Sequence, residues 1–155
     1  DVEEVFISHY HWDHTGGLLD FLDLNPAKVY IPSSFKKPGI AHDVVIVKKS
    51  ITISENIFST GELSKIEQSL VVKKEKGIII IAGCSHSGVG NILEAATQFG
   101  KPYALIGGLH GFNNFNLVKD LTIICPTHCT QHISEIKSLY PEKYIAGGAG
   151  KVIEI

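Results

Sequence analysis

Short apolar runs alternate along the chain with loops that are rich in glycine and small polar residues. Runs of β-branched and aromatic residues predict strands, whereas apolar residues recurring every three or four positions predict helices. The predicted strands cover residues 2–7, 28–31, 44–47, 51–53, 69–74, 78–82, 103–106, 121–125, 143–145 and 151–155. The predicted helices cover residues 16–24, 91–99 and 131–139. Each predicted helix follows a strand and a short loop, so the pattern indicates a domain of mixed α and β structure.

Local turn chemistry defines several of these boundaries. The segment Glu75-Lys76-Gly77 separates two strand-like runs, which predicts a hairpin in which Gly77 adopts a positive φ. Ser87 is placed to cap the second predicted helix, and Gly100 is placed to end it. Thr130 is placed to cap the last helix in the same way.

Composition indicates one folded domain over residues 1–155. Hydrophobic residues make up 44% of the chain and charged residues 19%, which is enough apolar material to build a core. The formal net charge of −2 gives no basis for binding nucleic acid or an anionic membrane. The longest apolar run, residues 78–82, is too short to span a bilayer. We therefore expect neither a membrane nor nucleic acid as partner.

Cysteine and methionine bear on location and on the ends of the chain. Cys84, Cys125 and Cys129 are too few and too odd in number for a disulfide framework, which favours a reducing cytoplasm. We expect them to be small buried residues, with Cys129 the one that faces a site. Methionine is absent even at position 1, so we expect Asp1 to lie inside a longer reading frame.

Histidine is the residue type that stands out, with eight copies. Four possible ligands cluster between the first predicted strand and the first predicted helix: His9, His11, Asp13 and His14. Three more histidines follow later strands: His86, His110 and His128. A single buried histidine is more often a hydrogen-bonded core residue than a ligand, but that explanation does not account for this repeated pattern. His42 and His132 are expected instead at the surface or as supports for other residues.

The carboxyl ends of neighbouring parallel strands meet at one edge of a sheet, so these side chains are expected to converge. Imidazole nitrogen and carboxylate oxygen are ligands that borderline-soft divalent metals accept. His9 and His11 are two apart and point the same way in an extended chain, so they can hold one metal. Asp13 and His14 lie past the bend and can reach a second one. Two metals ~3.5–4 Å apart can hold a bridging hydroxide and polarise a substrate oxygen.

The run His9-Tyr10-His11-Trp12-Asp13-His14 resembles the HxHxDH motif of the metallo-β-lactamase superfamily, and both of its flanks fit as well. The resemblance implies a first metal site of His9, His11 and His86 and a second of Asp13, His14 and His128. His110 falls where many members carry a cysteine or an aspartate, and it would complete the second site or act as a proton donor. It also replaces the carboxylate that bridges the metals in hydrolytic relatives.

A narrower group within the superfamily is similar over nearly the whole chain. Its motifs match Gly83-Cys84-Ser85-His86, Gly107-Gly108-Leu109-His110 and Pro126-Thr127-His128-Cys129-Thr130. Members are often labelled as similar to the dihydropterin-methyl-ribofuranosylaminobenzene-phosphate synthase of methanopterin biosynthesis. The resemblance implies an α+β fold, an αββα sandwich with mixed sheets and helices outside. Strands usually precede the motif in that fold, so we expect the N-terminal strands to lie outside this chain.

The resemblance also implies a metal-dependent hydrolase. A metal-bound hydroxide, oriented by Asp13, would attack a small phosphorylated or pterin-like substrate, and His110 would protonate the leaving group. Two divalent ions are expected, with Zn as the first choice and Mn, Fe or Co as alternatives. Two other functions stay open: a metal-binding fragment or subunit without catalysis of its own, and a nucleic-acid phosphodiesterase of the same superfamily. A homo-oligomer, or pairing with the missing N-terminal segment, would complete the fold.

Overall fold

The computed structural model describes residues 2–36 and 43–155. The strands are β1 (Glu4–Phe6), β2 (Lys28–Pro32), β3 (Val44–Val47), β4 (Ile51–Ser54), β5 (Ile57–Ser59), β6 (Leu70–Lys74), β7 (Gly77–Ala82), β8 (Pro102–Gly108) and β9 (Ile123–Thr127). The α-helices are α1 (Trp12–Thr15), α2 (Leu18–Leu24), α3 (Val89–Ala96) and α4 (Ile133–Leu139), with 3₁₀ turns at Thr97–Phe99 and Phe115–Val118. No helix in these two ranges has the length and apolar character needed to cross a membrane.

The strands form two sheets. In the smaller one, β1, β2 and β3 are neighbours and both pairs run parallel. The larger sheet has the order β4 to β9; the pairs from β4 to β7 are antiparallel, whereas β7, β8 and β9 run parallel. Because parallel strands end on the same side, the loops after β7, β8 and β9 meet at one edge of this sheet.

Each sheet contributes to its own apolar core. The larger core contains the fully buried side chains of Ile78 and Ile80 in β7, together with Ile92 of α3. Burying each such side chain stabilises the fold by about 1.5–3 kcal/mol. In the smaller core, Leu22 of α2 and Val29 of β2 are completely buried. The apolar spacing that predicted these elements therefore marks the side chains that face inward.

Gln68 joins the two sheets through its buried side chain. Its Nε2 donates to two carbonyl oxygens of the smaller sheet: that of Ile7, directly after β1, at 2.9 Å, and that of Tyr30, in β2, at 3.3 Å. Its Oε1 accepts a hydrogen bond from Ser59 Oγ at 2.7 Å, at the end of β5. The Gln68 backbone N–H also donates to the Ser8 carbonyl oxygen at 2.8 Å. This buried polar joint holds the loop that begins at Ser8 against the larger sheet.

Most of the predicted elements form, with shifted ends. The predicted hairpin is confirmed, because β6 pairs antiparallel with β7 and Gly77 has a φ of +136°. The predicted strand at 143–145 is reduced to one bridge between Tyr144 and Ile124. The predicted strand at 151–155 is wrong: that segment has no regular structure, and Val152 is left 80% exposed.

Both predicted hydroxyl caps are also wrong. Gly88 precedes α3, and the Ser87 hydroxyl donates instead to the Glu67 carboxylate at 2.7 Å. α4 begins without a side-chain cap, and the Thr130 hydroxyl donates to the Thr127 carbonyl oxygen at 2.7 Å. Both hydroxyls therefore donate to polar groups of the loops instead of capping the helices.

Replacing Gly107 by alanine is expected to lower the free energy of unfolding by about 1–3 kcal/mol. Gly107 in β8 has a φ of +126°, and an added Cβ would lie 2.0 Å from the Ala82 carbonyl oxygen. Gly17→Ala is the matched control, because an added Cβ there meets nothing within 4 Å. Urea unfolding of both variants measures the difference, and equal stabilities would contradict the prediction.

Candidate metal centre

The loop after β1 delivers four of the predicted ligands from one short segment. His9 is fully buried, and its backbone forms an antiparallel bridge with Glu67. His11 is extended and directly precedes α1, and its Nδ1 lies 3.1 Å from His9 Nε2. Asp13 and His14 lie within α1. The backbone changes from extended to helical after His11, so His9 and His11 precede this bend and Asp13 and His14 follow it.

The first set of donors, which we call the His14 group, consists of Asp13, His14, Cys84 and His128. His14 Nε2 lies 3.1 Å from Cys84 Sγ and 3.2 Å from His128 Nε2. Asp13 Oδ2 lies 3.0 Å from His128 Nε2 and 3.6 Å from His14 Nε2. Four donor atoms from the loops after β1, β7 and β9 thus point at one another.

The second set, which we call the His9 group, consists of His9, Cys84 and His86, whose donor atoms lie within 4.8 Å of one another. His11 lies beside it, with its ring centroid 4.5 Å from that of His9 and 4.7 Å from that of His86. The buried Nε2 of His86 has no hydrogen-bond partner among the described residues. Cys84 belongs to both groups, so Cys84 rather than the predicted Cys129 is the cysteine at the centre of the site.

These separations fit a metal ion. Two donors on one tetrahedral zinc, with bonds of about 2.0–2.3 Å, lie about 3.3–3.8 Å apart. Four of the six separations in the His14 group are 3.0–3.6 Å and all six are within 4.8 Å, so its donors are close enough together to surround one ion. A buried nitrogen without a hydrogen-bond partner, such as His86 Nε2, lowers the stability of the fold unless a bound group outside the polypeptide interacts with it. The donor set therefore suits the divalent ions that the sequence predicts.

The remaining histidines lie outside the two groups. His110 is exposed after β8, with its ring centroid 5.1 Å from that of His86. His132 is paired through its Nδ1 with Glu135 Oε1 at 3.0 Å and does not contact the centre. His42 lies outside the described residues. His110 thus stands at the rim of the site, where a proton donor would be useful, and not within either donor group.

The three loops that follow β7, β8 and β9 each contain a residue in the left-handed region that is not glycine. The φ values are +60° at Ser85, +46° at His110 and +52° at His128. A left-handed backbone is uncommon for residues with a Cβ and costs free energy, and such residues cluster at functional sites. The bends aim the side chains that follow each strand toward a common space.

Glu67 is a functional candidate that the sequence analysis missed. Its side chain is completely buried, and its Oε1 accepts hydrogen bonds from the Ser87 backbone N–H and the Ser87 hydroxyl, both at 2.7 Å. Its other oxygen, Oε2, has no partner in the described part of the chain. Glu67 therefore holds the loop that carries His86. A single glutamate before a strand does not stand out in the sequence as a functional residue, because its partner Ser87 lies 20 residues away.

Burial shapes the protonation of the centre. Burial, aided by the neighbouring imidazoles, lowers the pKa of His9 to about 3. Burial also lowers the pKa of His14 and of His86 and raises that of the Cys84 thiol. Desolvation opposes ionisation of Asp13, but its backbone hydrogen bond and the nearby His14 and His128 outweigh it and lower the pKa of its carboxyl group. The neutral imidazoles are the form that binds metal.

The stability of the metal-free protein is therefore expected to fall as the pH falls from about 6.5 towards 3. Between pH 6.5 and 3, His9 binds a proton in the unfolded chain. In the folded protein, where its pKa is about 3, it stays neutral over this range. Each such proton changes the free energy of unfolding by about 1.4 kcal/mol per pH unit. Urea unfolding in chelator at several pH values between 7.5 and 5 measures the slope. A flat profile would contradict the prediction.

The centre opens onto two cavities. A cavity of about 550 Å³ borders Asp13 and His14 and is lined on its other side by Trp12 and Phe21. A second cavity, of about 540 Å³, borders His86 and His110. Trp12 lies between the two motif residues His11 and Asp13, yet it is 84% exposed. A small substrate therefore has room to approach the donor groups from either side.

Comparisons with known proteins identify a family and two relatives. A family model described as "Metallo-beta-lactamase superfamily" matches residues 1–95. The 7,8-dihydropterin-6-methyl-4-(beta-D-ribofuranosyl)-aminobenzene-5'-phosphate synthase of Methanocaldococcus jannaschii is 24% identical, with 99% of this chain and 75% of the relative covered. An uncharacterised protein of the same organism is also 24% identical, with 97% and 78% covered.

Two solved structures share the fold. One is Tm1679, described as a metal-dependent hydrolase of the beta-lactamase superfamily, with a TM-score of 0.77 at 23% identity. The other is Igni18, described as a metallo hydrolase from Ignicoccus hospitalis, with a TM-score of 0.66 at 12% identity. Each comparison covers 97% of this chain and 78% of the other. The predicted fold class, a sandwich of mixed sheets, is confirmed by this likeness.

Proposed function

Because the chain belongs to the metallo-beta-lactamase superfamily, we propose that it is a metal-dependent hydrolase with two adjacent divalent ions at the edge where β7, β8 and β9 end. The observation that carries the proposal is the pair of donor groups, which meet at Cys84 and consist of histidine, aspartate and cysteine side chains. A structural zinc site is normally closed and single, whereas two adjoining groups beside open cavities suit catalysis.

The proposed ligands are the histidines and the aspartate of the motif together with two later histidines. His9, His11 and His86 hold one ion, and Asp13, His14 and His128 hold the other. Bound divalent ions of this kind supply Lewis acidity and lower the pKa of a coordinated water to about 7. Burial lowers the pKa of His9, His14 and His86 and keeps these imidazoles neutral, so that their nitrogens are free to bind at neutral pH. Zn suits this donor set first, with Mn, Fe or Co as alternatives.

Two residues are assigned to the reacting groups. The Asp13 carboxylate is half exposed and faces His128, so one of its oxygens can also orient the attacking water. His110 is exposed beside His86 and lines the second cavity, which places its imidazole where it can give a proton to the leaving group. As a proton donor, His110 has no need to belong to either donor group.

The substrate is proposed to be a small phosphorylated compound with a pterin-like ring. The name of the Methanocaldococcus jannaschii relative contains both a dihydropterin and a phosphate, and this supports the substrate class by association. The exposed indole of Trp12, at the wall of the 550 Å³ cavity, offers a flat face on which such a ring can stack. We also propose a reducing cytoplasmic setting, which the three free cysteines support.

A substrate panel tests the proposal. The protein is loaded with zinc or manganese, its metal content is measured, and it is assayed with p-nitrophenyl phosphate, bis-p-nitrophenyl phosphate, a pterin phosphate, a β-lactam and single-stranded DNA. Metal-dependent hydrolysis of a small phosphoester, lost in chelator and restored by metal, is the expected result. Two bound ions without turnover of any substrate would favour a non-catalytic metal-binding subunit. Salt-sensitive cleavage of DNA would favour the phosphodiesterase.

A further inference from the structure

Cys84 occupies the position that the two donor groups share. Its Sγ lies 3.1 Å from His14 Nε2, and it is within 4.8 Å of the donors of both groups. The side chain is 3% exposed, so it is turned into the site rather than toward solvent. Among the described residues, Cys84 is the one side chain that belongs to both groups.

Within residues 2–36 and 43–155, no other donor belongs to both groups. The Asp13 carboxylate belongs to the His14 group alone, and His110 belongs to neither. Glu67 is buried nearby, but its carboxylate belongs to neither donor group. Two adjacent cations repel each other, so an anion between them stabilises the pair more than an anion bound to only one of them. A thiolate sulfur has enough lone pairs to bind two ions at once.

The loop around Cys84 is held from both sides, which fixes the position of its sulfur. The Ser85 hydroxyl donates to the Gly108 carbonyl oxygen at 2.7 Å, tying the loop to the end of β8. The Gly108 backbone N–H donates in turn to the Gly83 carbonyl oxygen at 3.1 Å. Cys129 Sγ lies 3.8 Å from the Cys84 carbonyl oxygen on the remaining side. A sulfur held in a fixed position suits a ligand that two ions share, because it cannot move toward one donor group and away from the other.

We propose that the Cys84 thiolate bridges the two metal ions, taking the place of a bridging carboxylate. The inference rests on the two-metal centre proposed above. On binding, the Cys84 S–H bond gives up its proton to solvent, and two sulfur–metal bonds form. Nothing is oxidised or reduced in this step. Cys125 and Cys129 take no part in it.

X-ray absorption and visible spectroscopy test the bridge. Wild-type protein carrying two zinc ions per chain should show about one sulfur per zinc at about 2.3 Å, because each ion counts the same sulfur. The cobalt-substituted protein should show a sulfur-to-cobalt charge-transfer band. Cys84→Ser should abolish the band and weaken binding of the second ion by more than about 10-fold. Cys125→Ser, another buried cysteine, and Cys129→Ser, the neighbouring one, are the matched controls and should keep the band.

The outcomes separate this inference from the proposed function. A sulfur count of about half per zinc means a terminal cysteine and overturns the bridge, and a count of zero excludes cysteine altogether. A band that survives in Cys84→Ser, or disappears in Cys129→Ser, also overturns it. If Cys84→Ser does not fold, the zinc spectrum of the wild type still decides. Failure of the proposed function appears differently, as protein that binds no metal or that binds two ions and hydrolyses nothing.

Discussion

Asp13→Ala is expected to lower the metal-dependent activity by more than about 100-fold and to reduce the metal content from two ions per chain to one. Asp13 supplies the single carboxylate of the His14 group, and its Oδ2 lies 3.0 Å from His128 Nε2. Losing a residue that merely supports a ligand costs 10–100-fold in affinity or activity, so losing a ligand should cost more. Elemental analysis after dialysis and kcat/KM on the best panel substrate measure the two effects.

The controls for this variant are close at hand. Asp20 is an exposed aspartate in α2 outside both groups, so Asp20→Ala makes the same charge change without touching a ligand. Asp13→Asn keeps an oxygen but loses the charge, and it should fall between the wild type and Asp13→Ala. Two tightly bound ions and full activity in Asp13→Ala would rule out the proposed role of Asp13.

Glu67→Ala is expected to lower the free energy of unfolding of the metal-free protein by about 2–5 kcal/mol. The change leaves the Ser87 N–H and hydroxyl without their shared acceptor in a buried site, and each unpaired buried group costs about 1–3 kcal/mol. The same loop carries His86, so metal affinity should fall as well. Urea unfolding in chelator measures the stability, and zinc titration of the refolded variant measures the affinity.

Glu67→Gln separates the hydrogen bonds from the charge. Glutamine keeps an oxygen that can accept from Ser87, so we expect it to restore most of the stability lost in Glu67→Ala. Glu75→Ala is the control, because Glu75 is an exposed glutamate in the turn between β6 and β7. If Glu67→Ala is as stable as the wild type, Glu67 does not hold the His86 loop as described.

The convergence of the histidines could be predicted because it follows from local signals. Each of His86, His110 and His128 lies in the loop that follows a strand, and the ends of parallel strands meet whatever their separation in sequence. The bend within the HxHxDH run, after His11, was likewise predicted from its spacing. These predictions needed the order of elements and the direction of the strands, but no knowledge of side-chain packing.

The contacts that hold the site could not be predicted, because they join residues far apart in the chain. Gln68 is tied to Ile7 and Tyr30, and Glu67 to Ser87, through buried side chains that look like ordinary polar residues in the sequence. Cys84 looked like a small buried residue until the fold placed both donor groups around it. The strand predicted at 151–155 failed for the converse reason, since an alternating pattern forms a strand only where a neighbouring strand is free to pair.

The left-handed backbone at Ser85, His110 and His128 has a consequence for anyone redesigning this domain. Glycine adopts that conformation without strain, so a procedure that optimises thermal stability alone would favour glycine at all three positions. Two of these substitutions would delete an imidazole from the site, and the third would remove the Ser85 hydroxyl that ties its loop to β8. A thermostabilised variant should therefore keep these three residues fixed and seek its gains in the exposed positions of α2 and α4.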